Sequence, residues 1–193
     1  MCTPSKLPYA EKISTTTSYL DLSSVYGNSL EENRKVRQYK GGLLKTSWYN
    51  DRQFLPLQSN LIDKCPANND HCYNIPDNRN QFTPTIAVIH TIFVREHNRL
   101  ATILSNINPQ YSDESIFQVA RKINIAQFQK ITFYDWLPLI IGQEYSYANR
   151  LIYSIPFHDY VNDYDETWDP SPFAEYAAAA LRYVHQTIPG WFS

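Results

Sequence analysis

The chain has 193 residues, a formal net charge of −2, and a composition that is 43% hydrophobic and 15% aromatic. This length and apolar content are enough for one domain with a buried core, and they exclude a disordered chain. The charge balance predicts no attraction to nucleic acid or anionic membranes, and no segment approaches the ~20 apolar residues of a membrane span.

The first 84 residues are predicted to be mostly irregular. The segment TSYLDLSSVYGNS (residues 17–29) alternates polar and apolar residues up to Gly27. The segment SLEENRKVRQY (29–39) predicts one short helix. GGLLK (41–45) and DRQFLPLQ (51–58) are typical of short strands or turns.

A long helix is predicted next. Thr83–Pro84 is a capping residue followed by a proline in the first turn, a common helix start. Apolar residues then recur at a spacing of three or four, which extends the helix to about Asn106. The predicted apolar seam consists of Ile86, Ile89, Phe93, His97, Leu100 and Leu104.

Two further helices make the predicted fold mainly α. Ser112 begins the second helix, which has to stop or kink near Pro138. Ser171–Pro172 begins the third, which runs through four alanines and ends before Pro189–Gly190. One face of the second helix is predicted to carry Ile116, Val119, Ile123 and Ala126.

The long helix carries two histidines, and their spacing decides between two uses. His90 and His97 are seven residues apart and share a helix face, whereas a zinc-protease helix needs histidines at i and i+4. His97 falls in the apolar seam, which favours a hydrogen-bonded core histidine. Arg79 lies a few residues before the helix, and a loop arginine fixed by a rigid helix start is well placed to serve a site.

Three cysteines indicate an oxidising compartment. Cys65 and Cys72 bracket the short polar loop CPANNDHC, which suits a local disulfide. Cys2 then has no partner within the chain. The alternative, a zinc site of Cys65, His71 and Cys72, lacks a fourth ligand. The first twenty residues lack the apolar core of a secretion signal. With the disulfide, this predicts a truncated secreted protein.

Four stretches occur in one order: TSYLDLSSVYG, DNRNQFTPTIAVIHTIFVREHNRLA, ITFYDWLPLIIG and DPSPFAEYAAAALRYVHQTIP. Together they resemble the animal haem peroxidase family, from about Ile13 to the end of the chain. The resemblance implies the helical fold of that family with irregular N-terminal loops. It also implies that residues 1–193 are the central part of one haem peroxidase domain, truncated at both ends.

The resemblance assigns three residues to a haem site. His185 matches the family's proximal ligand to haem iron, and Arg182 matches an arginine that meets a haem propionate. Arg79 matches the distal arginine, a catalytic residue that stabilises the negative charge developing on peroxide during cleavage. In this family His90 and His97 belong to a scaffold helix. The implied cofactor is haem b, and the implied substrates are hydrogen peroxide and a small or phenolic donor.

The same resemblance implies a calcium loop. Thr17, Tyr19, Asp21 and Ser23 fall on it, with Tyr19 contributing only its backbone carbonyl. Hard oxygen ligands with one carboxylate suit Ca²⁺.

The chain departs from the family pattern at three places. The family's distal histidine lies upstream of the calcium loop, before the region that this chain covers. Phe82 stands where a glutamate often forms an ester to the haem, so no ester is expected there. The chain also ends eight residues after His185. We therefore expect a fragment of a secreted haem peroxidase.

Two other functions remain open at this stage. One is a catalytically inactive, peroxidase-derived module that binds haem or a protein partner. The other is a purely structural helical domain in which the histidines are satisfied core residues.

Overall fold

The computed structural model describes residues 2–3, 11–12, 14–57, 72–77, 79, 83–154 and 161–188. The chain divides into two compact units. The larger unit comprises residues 20–155, and the smaller one comprises residues 1–19 and 156–193. In the described residues the fold is mainly α, as predicted.

Helices and two short hairpins make up the described elements. In chain order they are β1 (Cys2–Thr3), β2 (Glu11–Lys12), α1 (Ser23–Tyr26), α2 (Leu30–Val36), β3 (Ser47–Tyr49), β4 (Arg52–Phe54), α3 (Pro84–Ile107), α4 (Asp113–Lys130), a π-helical segment (Ile131–Trp136), α5 (Leu137–Ile141), α6 (Gln143–Ala148), α7 (Ala174–Ala178) and a 3₁₀ helix (Ala180–Thr187). Strands β1 and β2 pair antiparallel, as do β3 and β4, where Ser47 lies opposite Phe54. No helix of the described chain is both long enough and apolar enough to cross a membrane.

Side-chain caps begin the predicted helices. The Ser29 hydroxyl accepts a hydrogen bond from the Glu32 N–H at 3.2 Å, and the Glu32 carboxylate accepts one from the Asn28 N–H at 2.7 Å. Thr83 caps α3 and Ser112 caps α4 in the same manner. The predicted starts of these three helices are therefore confirmed.

Helices α3 and α4 form an antiparallel pair joined by a short loop. Asn124 of α4 donates to the Phe93 carbonyl of α3 at 3.0 Å, and near the loop Ala101 packs with Ile116 and Ala120. Segment 20–57 covers one side of this pair. The main core lies there and contains Leu22, Val25, Tyr26, Val36, Leu44, Leu55, Ile75, Val94 and Phe117.

The predicted buried faces of α3 and α4 are wrong in part. Ile89 is 52% exposed and Ile123 is 37% exposed, whereas His90, Thr91 and Asn98 are buried. One reason is that the stretch around Leu44, which lies outside the named helices and strands, packs on this side of α3, and its backbone groups need hydrogen-bond partners. Asn98 supplies them by accepting from the Leu44 N–H at 2.8 Å and donating to the Leu44 carbonyl at 3.1 Å.

The buried Arg37 forms ion pairs with partly exposed carboxylates and holds this segment against the start of α4. The guanidinium of Arg37 bonds Asp113 at 2.7 Å and also bonds Glu114. Asp113 accepts a further hydrogen bond from the Gly42 N–H at 2.7 Å. Gly42 has φ +69°, and a Cβ there would lie 2.6 Å from the Ile116 side chain. A glycine is therefore required for this close approach.

Helix geometry agrees with the prediction at Pro138 and differs from it in the third helix. Before Pro138, α4 passes into π-helical turns, a common cause of a helix kink, where a stop or kink was predicted. The third predicted helix begins at Ala174 instead of Ser171, because the Ser171 N–H bonds the Asp169 carboxylate and residues 171–173 remain non-helical. It is also broken at Ala179, which has φ −128° and ψ −65°.

Candidate functional site

Arg79 lies in the loop before α3 and is gripped by Asp77. Arg79 Nε donates to Asp77 Oδ1 at 2.9 Å, and Arg79 Nη2 donates to Asp77 Oδ2 at 2.8 Å. The backbone N–H of Arg79 also bonds Asp77 Oδ1, at 3.0 Å. Nη1 takes no part in this pair. Fork-to-fork pairing of this kind adds directional specificity to the electrostatic attraction.

The two partners differ in exposure. The Arg79 side chain is 73% exposed, whereas that of Asp77 is only 10% exposed. Burial would raise the pKa of Asp77, but the hydrogen bonds from Arg79 outweigh it and leave the pKa below its usual value. Asp77 is therefore a carboxylate at neutral pH, and it anchors the more exposed partner.

His90 lies beside this pair in the second turn of α3 and is buried. Its Nε2 is 3.8 Å from Asp77 Oδ2, which is longer than a hydrogen bond. Burial lowers the pKa of His90 despite the nearby Asp77 carboxylate, so the imidazole is neutral at pH 7. His90 therefore packs against Asp77 as a neutral group, while its Nδ1 is buried with no hydrogen-bond partner among the described residues.

A cavity of about 270 Å³ adjoins Arg79. Asp77, Arg79 and His90 form part of its wall, together with Ser24. The remaining wall is apolar and consists of Leu22, Ile86, Ile89, Phe93 and Phe128. Arg79 thus lies at the border between a largely apolar cavity and solvent, where a guanidinium can reach a small polar ligand.

His97 is a buried scaffold residue, as predicted. It is fully buried, its Nδ1 lies 2.9 Å from the Tyr26 hydroxyl, and its Nε2 lies 2.9 Å from the Gly42 carbonyl. Because a carbonyl only accepts, Nε2 carries the proton and Nδ1 accepts from Tyr26. Asn124 in turn donates to the Tyr26 hydroxyl at 2.8 Å. The chain of hydrogen bonds connects α1, α3 and α4 with the Gly42 loop.

The pH dependence of stability is expected to reveal His97. Burial is the main reason that its pKa falls from 6.5 to about 4; the Gly42 hydrogen bond opposes this, and the charges of Arg37 and Arg121 add to it. Below pH 6.5 the His97 imidazole binds a proton in the unfolded state but not in the folded state. The free energy of unfolding therefore falls as the pH drops. Between pH 6.5 and pH 5 the expected loss from this group is about 1.5 kcal/mol in the free energy of unfolding.

Chemical denaturation at several pH values measures this loss, with His97→Gln as the control. The variant is less stable at pH 7 because its hydrogen bonds are disturbed, but its stability declines less between pH 6.5 and pH 5. Parallel declines in both proteins would contradict the assignment of a neutral buried imidazole.

His185 lies in the 3₁₀ helix of the smaller unit, three residues after Arg182. Its Nδ1 is 3.2 Å from the Arg182 carbonyl, so Nδ1 is the protonated nitrogen. This leaves the lone pair on Nε2 available to a metal ion. In a 3₁₀ helix, residues i and i+3 lie on the same side, so the Arg182 side chain accompanies His185. An imidazole oriented through Nδ1, with Nε2 left for a metal ion and a cation nearby, fits an iron porphyrin with acidic propionates.

The predicted site residues are divided between the two units. Arg79 belongs to the larger unit, and His185 and Arg182 belong to the smaller one. The structure brings Arg79 together with Asp77 and His90, and it brings His185 together with Arg182. The facing arrangement of Arg79 and His185 across a haem stays a prediction.

The predicted calcium residues occur as two local turns. Thr17 Oγ1 accepts from the Tyr19 N–H at 3.1 Å in the smaller unit, and Asp21 Oδ1 accepts from the Ser23 N–H at 3.0 Å in the larger one. Within the described ranges, no three His, Cys, Asp or Glu side chains are grouped so as to hold a metal ion. Calcium binding at these residues stays a prediction that depends on hydroxyl and carbonyl oxygens with the single carboxylate of Asp21.

Cys72 is buried and disulfide-bonded. Its predicted partner Cys65 lies outside the described residues, as do His71 and Phe82, so the Cys65–Cys72 pairing stays a prediction. A cysteine in a disulfide has no thiolate to offer a metal ion, which argues against the zinc alternative.

Sequence reasoning did not find Asp77. The available signal was the Asp-x-Arg spacing in PDNRN, where an aspartate can accept from the backbone N–H two residues later. His90 was assigned to scaffolding without a partner. Only the folded chain shows that it lies beside Asp77, thirteen residues away.

Comparisons with known proteins show which family the chain resembles. The chain matches the family model described as animal haem peroxidase over residues 2–193. It is 46% identical to a peroxidase of Drosophila melanogaster over 94% of the chain, and 38% identical to a myeloperoxidase of Mus musculus over 97%. The chain spans about a quarter of these relatives, 26% of each.

Solved structures similar to this chain include another peroxidase. The chain is similar to peroxidase A from Dictyostelium discoideum, with a TM-score of 0.57 and 31% identity over 62% of this chain and 24% of that one. It is also similar to a fatty acid alpha-dioxygenase of Arabidopsis thaliana, with a TM-score of 0.50 and 26% identity over 62% of this chain and 17% of that one.

Proposed function

Since the chain belongs to the animal haem peroxidase family, we propose that it is part of a haem-dependent peroxidase. The enzyme would reduce hydrogen peroxide and oxidise a small or phenolic donor. Beyond the family match, the observation that carries the proposal is the hydrogen bond from His185 Nδ1 to the Arg182 carbonyl. It leaves Nε2 free to bind iron.

On this proposal, His185 and Arg182 hold the cofactor. His185 binds the iron through Nε2, and its Nδ1–H bond to the helix backbone fixes the ring orientation. Arg182 anchors a propionate, for which a guanidinium has matching geometry. When bound, the haem would carry oxidising equivalents from hydrogen peroxide to the donor.

Arg79 acts on the peroxide. Arg79 would offer a fixed N–H donor to the departing peroxide oxygen, and stabilising the negative charge that develops there would lower the free energy of the transition state. The position of Arg79 in the wall of a largely apolar cavity supports this role, because a ligand bound there would meet few other hydrogen-bond donors.

Three finer features belong to the same proposal. The haem is b-type, with no ester at the position of Phe82. Thr17, the Tyr19 carbonyl, Asp21 and Ser23 contribute ligands to Ca²⁺. The enzyme is secreted, which agrees with the disulfide at Cys72.

Haemin titration followed by peroxide assay tests the proposal. We expect a shifted Soret band on titration, and then oxidation of a phenolic donor that requires both haem and peroxide. Haemin in buffer with the same donor is the control for free-cofactor chemistry. A Soret shift without turnover would favour the inactive binding module, and the absence of any shift would contradict both haem hypotheses.

A further inference from the structure

Asp77 holds Arg79 by one edge only. The carboxylate occupies Nε and Nη2, and it also fixes the backbone through the Arg79 N–H. Four hydrogen bonds to one carboxylate restrain both the loop and the plane of the guanidinium. Nη1 projects from a different edge. Its direction is fixed because the planar guanidinium is held at Nε and Nη2.

Such a restraint matters because the Arg79 side chain is mostly exposed. A free arginine has several rotatable bonds, and its rotamer entropy would spread Nη1 over many directions. A donor stabilises a transition state only when it is aimed before the charge develops. Some partner has to fix the guanidinium, and Asp77 has the geometry to do so.

Asp77 is itself held by the rigid start of α3. Its side chain is only 10% exposed, and the buried, neutral ring of His90 packs beside it at 3.8 Å. His90 belongs to the second turn of a helix of 24 residues, so this contact ties the carboxylate to a rigid element. Helix α3 thus restrains Asp77, and Asp77 in turn restrains the guanidinium of Arg79.

We propose that Asp77 is a positioning residue for peroxide reduction, which aims the Arg79 guanidinium by gripping Nε and Nη2, with His90 packing the carboxylate into place. The inference rests on the proposed function, because it requires Arg79 to donate to a haem-bound ligand.

Electrostatics alone predicts the opposite effect of Asp77. A carboxylate beside Arg79 cancels part of its positive charge and should weaken attraction for an anion. If charge decided the outcome, removing the carboxylate would strengthen anion binding at the iron. If the orientation of the Arg79 guanidinium decides the outcome, removing the carboxylate weakens anion binding although the site becomes more positive. The sign of the change therefore separates the two explanations.

Fluoride affinity of the haem-loaded protein measures that sign. Fluoride binds ferric haem and accepts a hydrogen bond from a correctly placed donor, so its dissociation constant reports the aim of Arg79 without turnover. Asp77→Asn keeps the size of the side chain and removes its charge. We expect this variant to bind fluoride about tenfold more weakly, with the same Soret band and thermal unfolding within a few degrees.

A variant at Arg79 tests the same inference without changing the Asp77 side chain. Arg79→Lys keeps the positive charge but has no planar fork to be gripped. We expect it to resemble Arg79→Leu in fluoride affinity. We also expect Asp77→Asn to change fluoride affinity less than twofold when Arg79 is already leucine, because Asp77 acts through that residue.

The outcomes separate this inference from the proposed function. If Arg79→Leu changes neither fluoride affinity nor peroxide reactivity, the proposed role of Arg79 fails. If Arg79→Leu is impaired but Asp77→Asn binds fluoride equally well or more tightly, only the positioning role fails. Wild-type affinity in Arg79→Lys would also overturn it, since a point charge would then be enough.

Discussion

Replacing His185 with alanine is expected to remove the protein's ligand to haem iron. The imidazole has its Nδ1–H bonded to the Arg182 carbonyl, so Nε2 is the nitrogen that the metal would lose. Losing an outer partner of a ligating histidine typically costs 10- to 100-fold in metal affinity, and losing the ligand itself should cost more than about 100-fold. Haemin titration, followed through the Soret band, measures the loss.

The control is Gln186→Ala, which changes the next residue of the same 3₁₀ helix and leaves the imidazole in place. Added imidazole should restore a Soret band in His185→Ala, because it can occupy the vacated position beside the iron. A wild-type Soret band in His185→Ala without imidazole would show that another residue binds the iron, and the proposed ligand would be wrong.

Replacing Arg79 with leucine is expected to slow the reaction with peroxide by 10²- to 10³-fold. This corresponds to about 3 kcal/mol of lost transition-state stabilisation, the usual effect of removing one fixed donor. Haem affinity should be nearly unchanged, since Arg79 is not a ligand. Stopped-flow measurement of the peroxide-dependent change in the Soret band gives the rate constant directly.

Arg99→Leu provides the matched control. Arg99 is also an exposed arginine in an ion pair, with Glu96 at 2.7 Å, but it lies on α3 and has no part in the proposed site. Its replacement should alter the rate with peroxide less than twofold, because exposed ion pairs contribute little. Equal losses in both variants would indicate a general effect of removing positive charge and would contradict a specific role for Arg79.

The sequence alone predicted the regular elements where local chemistry decides them. Ser29, Thr83 and Ser112 cap their helices because a short polar side chain satisfies a backbone N–H that no helical carbonyl can reach. The burial of His97 could also be predicted from its place in a periodic apolar pattern. The ordered motifs indicated the family, which the match over residues 2–193 confirmed.

Other features depended on contacts between residues distant in sequence. Periodicity shows that α3 has an apolar side, but segment 20–57 determines which side is covered. The Leu44 backbone of that segment hydrogen-bonds Asn98, and Ile89 stays exposed. The tautomer of His97 depends on the Gly42 carbonyl, fifty-five residues away in sequence.

The candidate site shows the same division. Resemblance to a known family predicted Arg79 and His185 as site residues, whereas the contacts of Asp77 and His90 became visible only in the fold. Helix caps and periodicity act over a few residues, so a sequence displays them directly. The cover of a helix face, the proton position on an imidazole and the partner of a loop arginine depend on which distant groups the folded chain brings within hydrogen-bonding distance.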